Sequence, residues 1–371
     1  VTSAHAGIES VSDALHTRAR AFVTAFEARA PMPESFDALA CDLARFQAAH
    51  VDGFARLCRA RGVDVGRALR AHDVPAVPTD AFKLTRVAAF AEAEATITFR
   101  TSGTTIGARG THAMRTSATY DAGALAFGRW ALARDFRAAP VVLVVGPSPD
   151  EAKDSSLTHM IALFVRMLGA SVTASDTYFL RGDELREDAL RARILDLDPM
   201  VPALVLGTSF AFVHLIDAAR ARGPHHAALA LPKGSRIMQT GGFKGRSREV
   251  DAETLRRELS ELFVVEPRAI VSEYGMTELS SQFYDAQPSP GVFVEPPWAR
   301  VVPVDPETLA PVSAGEIGIA RVEDLLNVDS AFAVLASDRV RRVEGGFELL
   351  GRAKGAAPRG CSISIDEILG G

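Results

Sequence analysis

The sequence predicts an α/β protein with a helical N-terminal part, largely parallel helix-covered sheets in its middle, and a small antiparallel sheet or barrel near its end. Three observations lead there. Residues 10–30 and 36–61 repeat Ala, Leu, Phe and Val every three or four positions, the period of an amphipathic helix. Residues 96–287 alternate short β-rich runs with amphipathic stretches, as βαβ units do. After Pro288 the helical period stops, and short runs divided by Pro, Gly and Asp suggest antiparallel strands.

Taken in order, residues 1–95 read as helical up to Pro75 and Pro78. Their restricted backbone ends the pattern and predicts an extended connector into Phe82 and Lys83. Cys41 and Cys58 fall on the helix faces and read as small buried hydrophobes. In residues 96–287 the expected strands are 95–99, 141–145, 201–206, 236–240 and 269–272. The expected helices are 117–136, 155–169, 183–197, 210–222 and 248–263. Ligands of such sheets bind beyond the carboxyl ends of the strands, where turns meet helix N-termini. Residues 288–350 are expected to hold strands 292–304, 317–322, 331–335 and 346–350. With no internal repeat or low-complexity linker, residues 1–350 are expected to form one catalytic domain, and residues 351–371 a short mobile tail carrying Cys361.

Composition narrows the function. A chain of 371 residues with 47% hydrophobic content can bury a large core without disulfide staples. The formal net charge of -5 and the lack of a lysine-rich tract exclude nucleic acid as the main partner. No uninterrupted apolar stretch approaches the roughly 20 residues that span a bilayer, and the first residues lack a basic region followed by an apolar run. Cys41, Cys58 and Cys361 lie far apart and match neither a metal-ligand spacing nor a secretory disulfide framework. The expectation is a cytoplasmic enzyme without a membrane span; its oligomeric state is not legible.

Chemistry concentrates in three turns. Thr101-Ser102-Gly103-Thr104-Thr105-Ile106-Gly107-Ala108-Arg109-Gly110 packs four hydroxyls and three glycines into ten residues after an expected strand. Glycine lets backbone approach an anion, and hydroxyls with backbone N–H groups supply neutral donors to phosphate oxygens. The Gly-Lys-Ser/Thr ending of a Walker loop is missing, and taken alone the segment reads equally as a surface loop. Two further turns follow strands: Gln239-Thr240-Gly241-Gly242-Phe243-Lys244 and Glu273-Tyr274-Gly275-Met276-Thr277-Glu278. Tyr274 offers an aromatic face, with Gly241 and Gly242 allowing close approach opposite, Thr277 a donor to phosphate and Glu278 a ligand for Mg²⁺. Alternatively, Tyr274 packs in the core and Glu278 pairs with an arginine.

In this order, Thr101 to Thr105 and Tyr274 to Glu278, then Gly315-Glu316-Ile317-Gly318, Asp338 and Gly351-Arg352, resemble the motif series of the adenylate-forming superfamily of acyl-CoA synthetases, luciferases and peptide-synthetase adenylation domains. The resemblance implies that superfamily's N-terminal domain, with ATP and Mg²⁺ as cofactors. It implies that Thr101, Ser102, Gly103, Thr104 and Thr105 contact the β- and γ-phosphates and that Tyr274, in its Gly275-Met276 turn, stacks on adenine. Thr277 would reach the α-phosphate and Glu278 would ligate Mg²⁺; Asp338 would bind the ribose hydroxyls, with Arg352 assisting.

The sequence departs from that pattern at Ile106 and at Ala108-Arg109, where Pro-Lys is common, so Arg109 is the expected substitute for the lysine. About twenty residues follow Gly351, against the on the order of a hundred that a separate C-terminal lid would need. The lid is therefore expected to be reduced to a short tail. One branch is similar over most of the length: the acyl-protein synthetases, fatty-acid-activating ligases of the bacterial bioluminescence fatty-acid reductase system. The similarity lies in residues 78–83, the loop at Thr101, Ser155-Ser156-Leu157, Gly207-Thr208, residues 240–244, the Tyr274 motif and Arg359-Gly360-Cys361-Ser362. It implies activation of a fatty acid as its adenylate, transfer to Cys361 and passage to a protein acceptor such as a reductase. Nearby Arg352, Lys354 and Arg359 would favour a thiolate on a mobile tail, although from the residues alone an incidental terminal cysteine is the simpler reading. An AMP-forming CoA or aryl-CoA ligase and a non-catalytic nucleotide-binding scaffold are the alternatives.

Overall fold

The computed structural model describes residues 2–101, 109–169, 176–223, 228–241, 250–286, 290–352 and 359–370. Ser102, Gly103, Thr104 and Thr105 of the first turn and Gly242, Phe243 and Lys244 of the second lie outside the described residues. The chain divides into two compact units, residues 1–126, 276–281 and 292–371, and residues 127–275 and 282–291.

In the second unit, strands Val141–Val145, Ala203–Thr208, Arg236–Thr240 and Ile270–Tyr274 pair in parallel, and Phe283–Tyr284 adds an antiparallel edge. Burial on both faces explains why the first two are continuous apolar runs rather than alternating ones. Helices Ser156–Leu168, Ser209–Ala221 and Ala252–Phe263 start on side-chain caps, Ser155 Oγ accepting from Thr158 N (3.1 Å), Thr208 Oγ1 from Ala211 N (3.2 Å) and Asp251 Oδ1 from Thr254 N (2.8 Å). The expected parallel, helix-covered sheet is borne out here.

The first unit is built on an antiparallel sheet in the order Val292–Phe293, Gly346–Arg352, Ala333–Val343, Ile317–Asp324 and Ala299–Val304. With it go helices Thr2–Ala28, Phe36–His50 and Asp52–Ala60, each packed on the next. The buried Gln47 joins the second of these to the sheet: its Nε2 donates to Asn327 O (2.8 Å) and Val328 O (2.9 Å), and its Oε1 accepts from Phe332 N (3.0 Å).

Four expectations are corrected. Strand Ile97–Arg100 pairs antiparallel with Thr111–Met114, so the Thr101 loop springs from a hairpin, not from the end of a parallel strand. Residues 75–83 are no plain connector: Val77–Pro78 joins the sheet parallel to Ala333–Val343, and Ala81–Leu84 is a helical turn. The helix expected over 117–136 is α-helical only over Ala118–Gly128, followed by a π-helical turn at Arg129–Ala133. Finally, the tail is not mobile throughout. Arg359–Leu369 is a helix against Asp52–Ala60, where Arg61 meets Glu367 (2.6 Å) and Ser364 Oγ (3.0 Å), and Arg56 Nε donates to Ile368 O (2.6 Å).

Candidate active site

The motif after Tyr274 crosses the division between the units, Tyr274 and Gly275 belonging to the second and residues 276–281 to the first. In the first unit this segment is held rigidly. Ser280 N and Ser281 N donate to the buried Asp324 (2.9 and 2.8 Å), and Asn327 Nδ2 donates to Glu278 O (2.9 Å). His112 Nδ1 lies 2.8 Å from Thr277 O. Burial pushes the His112 imidazole down to about 4, so the ring is neutral, and the carbonyl partner places its proton on Nδ1. The His112 and Asn327 anchors use the backbone carbonyls of Thr277 and Glu278.

Glu278 is 6% exposed. Burial raises its carboxyl above the usual range, its own backbone N–H, Lys83 and Arg352 lower it, and Asp80 raises it. Glu278 is thus a buried acid on which two cations act. Lys83 Nζ meets Asp80 Oδ1 at 2.6 Å, and Arg352 Nε meets Asp338 Oδ1 at 3.3 Å across neighbouring strands. Asp338 is in register with Arg352, and the ladder shifts register between Asp338 and Val340.

At the hairpin neck, Thr101 N donates to Gly110 O and Gly110 N to Thr101 Oγ1, both at 2.9 Å. Arg109 Nε donates to Thr101 O (2.7 Å) and Nη2 to Arg100 O (3.3 Å), so the guanidinium braces the neck. A Cβ on Gly110 would lie 3.3 Å from Lys83 Cγ, which puts the lysine stem against the same neck.

Cys361 overturns the expected thiolate. It is 4% exposed on helix Arg359–Leu369, and burial, helped by Asp80, pushes its thiol up to about 11. Asp80 adds to the rise of both the Cys361 thiol and the Glu278 carboxyl.

In the second unit, Tyr274 is 7% exposed and packs on Phe283 with ring centroids 6.0 Å apart. Gly241 ends strand Arg236–Thr240 with φ 75°, a left-handed backbone that favours glycine. Beneath it, Thr240 Oγ1 donates to Glu273, whose carboxyl burial pushes up to about 7. Sequence reasoning gave His112 no role. Glu273 was named only as the start of its turn, though an acid inside an apolar strand is a readable signal; Asp80 and Lys83 entered only within the connector and the similar segment 78–83.

For Mg²⁺ the fit is to one carboxylate. Among the described residues no group of three or more His, Cys, Asp or Glu could hold a metal, whereas Glu278 could supply the single protein carboxylate that Mg²⁺ takes alongside phosphates and water.

The family model of the acyl-protein synthetases, LuxE, matches residues 8–370. The chain belongs to this family. Membership makes it a ligase. An acyl-protein synthetase relative, the long-chain-fatty-acid–luciferin-component ligase of Vibrio harveyi, is 25% identical over 332 residues, 85% of this chain and 83% of that protein. The family fold is also that of 2-hydroxyisobutyryl-CoA ligase in its postadenylation state with 2-HIB-AMP, at TM-score 0.62 and 16% identity over 85% of this chain and 67% of that one. Against ATP-bound MatB of Rhodopseudomonas palustris the TM-score is 0.48 at 16% identity; the match covers 71% of this chain and 49% of that one. The adenylate-forming fold expected from the motifs is therefore borne out. No helix among the described residues is long and apolar enough to cross a membrane.

Proposed function

We propose that this acyl-protein synthetase activates a carboxylic acid, of the fatty class, with ATP. A carboxylate oxygen attacks the α-phosphorus, the bond to pyrophosphate breaks, and acyl-adenylate forms. The observation that carries this reading is the anchored Thr277-Glu278 turn, whose buried carboxyl feels the charges of Lys83 and Arg352. Preorganised groups of this kind neutralise the repulsion between carboxylate and triphosphate at no reorganisation cost. Glu278 would hold Mg²⁺, which when bound supplies charge neutralisation on the phosphates. Thr277 would donate to the α-phosphate and Asp338 accept from the ribose.

In the second half of the reaction the Cys361 thiol gives up its proton to solvent as its sulfur attacks the acyl carbon and the carbon–oxygen bond to AMP breaks; a nucleophile of a protein acceptor then takes the acyl group from sulfur, and the sulfur regains a proton. That all three cysteines are free supports a cytoplasmic setting. The burial of Cys361 favours a second reading, delivery of the acyl group to coenzyme A with the cysteine idle. Incubation with MgATP and a panel of carboxylic acids, followed by intact and peptide mass measurement, decides between them. Thioester on the Cys361 peptide without CoA supports the first. Acyl-CoA formed equally well by Cys361→Ala supports the second, and absence of acid-dependent pyrophosphate exchange into ATP removes both.

A further inference from the structure

Lys83 has no place in the motif series, yet the structure puts it among those residues. Its neighbour Phe82 is buried and meets the His112 ring edge-on at 5.7 Å, and His112 in turn bonds Thr277 O. This fixes the backbone of helix Ala81–Leu84 relative to the Thr277-Glu278 turn. From that base the lysine stem runs against the hairpin neck: a Cβ on Gly110 would meet Lys83 Cγ at 3.3 Å and Thr101 Oγ1 at 3.4 Å. The stem therefore lies where the hydroxyl-rich loop leaves and rejoins the fold.

We propose that Lys83 is a phosphate-binding residue of the adenylation site, its ammonium contacting the oxyanions of the nucleotide's triphosphate beside Glu278. This rests on the ATP-dependent reading given above. Of the nearby cations, Arg109 is engaged by the carbonyls of Thr101 and Arg100, and Arg352, 77% exposed, meets Asp338 at 3.3 Å. The Lys83–Asp80 pair is likewise 43% and 38% exposed, and exposed pairs are held weakly. A compact ammonium on a four-carbon stem can exchange such a partner for a phosphate without moving the backbone.

The test has two arms. In acid-dependent ATP–pyrophosphate exchange, Lys83→Met should lower kcat/KM for ATP on the order of a hundredfold with an unchanged melting temperature, and Lys83→Arg should recover part of it. Separately, ATP alone should protect the Lys83 peptide of the unmodified protein from an amine-acetylating reagent, read by peptide mass. Exchange within twofold of wild type in Lys83→Met, together with undiminished acetylation under ATP, overturns the proposal. If the wild-type protein shows no acid-dependent exchange while ATP still protects Lys83, the phosphate contact stands and the adenylation reading fails.

Discussion

A methyl group on residue 275 would sit 2.5 Å from Glu273 Oε1, inside any allowed contact. The glycine of the Tyr274 motif is thus required by a buried acid two residues earlier, as well as by any ligand. Gly275→Ala should destabilise by roughly 1–3 kcal/mol, the range for overpacking, and Glu273→Ala in the same chain should return much of that in denaturant titrations. Equal loss in the single and double variants would show that the clash is not the cause. His112 illustrates the limit of sequence at this scale. Its neutrality and its bond to Thr277 O depend on a partner 165 residues away, which no local pattern encodes.

Among the elements, helix Arg359–Leu369 carries the clearest consequence. It holds Cys361 out of water by a half-buried Arg61–Glu367 pair and by Arg56 on the Ile368 carbonyl. Local opening of this helix must precede reaction at the thiol. Arg61→Ala removes an ion pair and a hydrogen bond, about 1 kcal/mol each, and should speed iodoacetamide labelling of Cys361 roughly thirtyfold, with Cys41 unchanged as the reference. Unaltered labelling would mean that the helix does not gate the cysteine. The parallel strands Val141–Val145 and Ala203–Thr208 were legible because continuous apolar runs bounded by Pro and Gly leave few alternatives. Strand Ile97–Arg100 was found, but its pairing was not, since period does not name a partner. The C-terminal helix was missed because Gly53, which leaves room for Ile368, and the two arginines that fasten it lie some 300 residues earlier. Of the candidate site, the acid at Glu278 was readable from its motif; the cation Lys83 was not, being placed by Phe82 and His112.

Across the whole molecule, two buried groups act on stability in opposite directions with pH, one in each unit. His112, held neutral at about 4 against an ordinary 6.5, contributes stability to the first unit that is present above pH 6.5 and lost as pH falls towards 4. Glu273, raised to about 7 from 4.5, contributes stability to the second unit that is present below pH 4.5 and lost as pH rises through 7. Each spans a range on the order of 3 kcal/mol. Hydrogen exchange corrected for its intrinsic rate should therefore show the first unit's sheet weakening and the second's strengthening between pH 7 and 4.5. Glu273→Gln should flatten the second trend and leave the first. The Gln47 linkage gives another measure: Gln47→Ala abandons one buried N–H and two carbonyls and should destabilise the first unit by on the order of 3 kcal/mol in urea.

That same glutamine sets an order of events during synthesis. Its partners stand 280, 281 and 285 residues further along the chain, and Val77 waits likewise for Val334. At about 5–20 residues per second this is an interval on the order of tens of seconds. The second unit, nearly continuous in sequence, has all its parallel strands before the last sheet strands of the first are made. For that time the earliest helices present an apolar face and an unsatisfied amide to the cell, and the nascent chain is most exposed to chaperones and proteases at its oldest end.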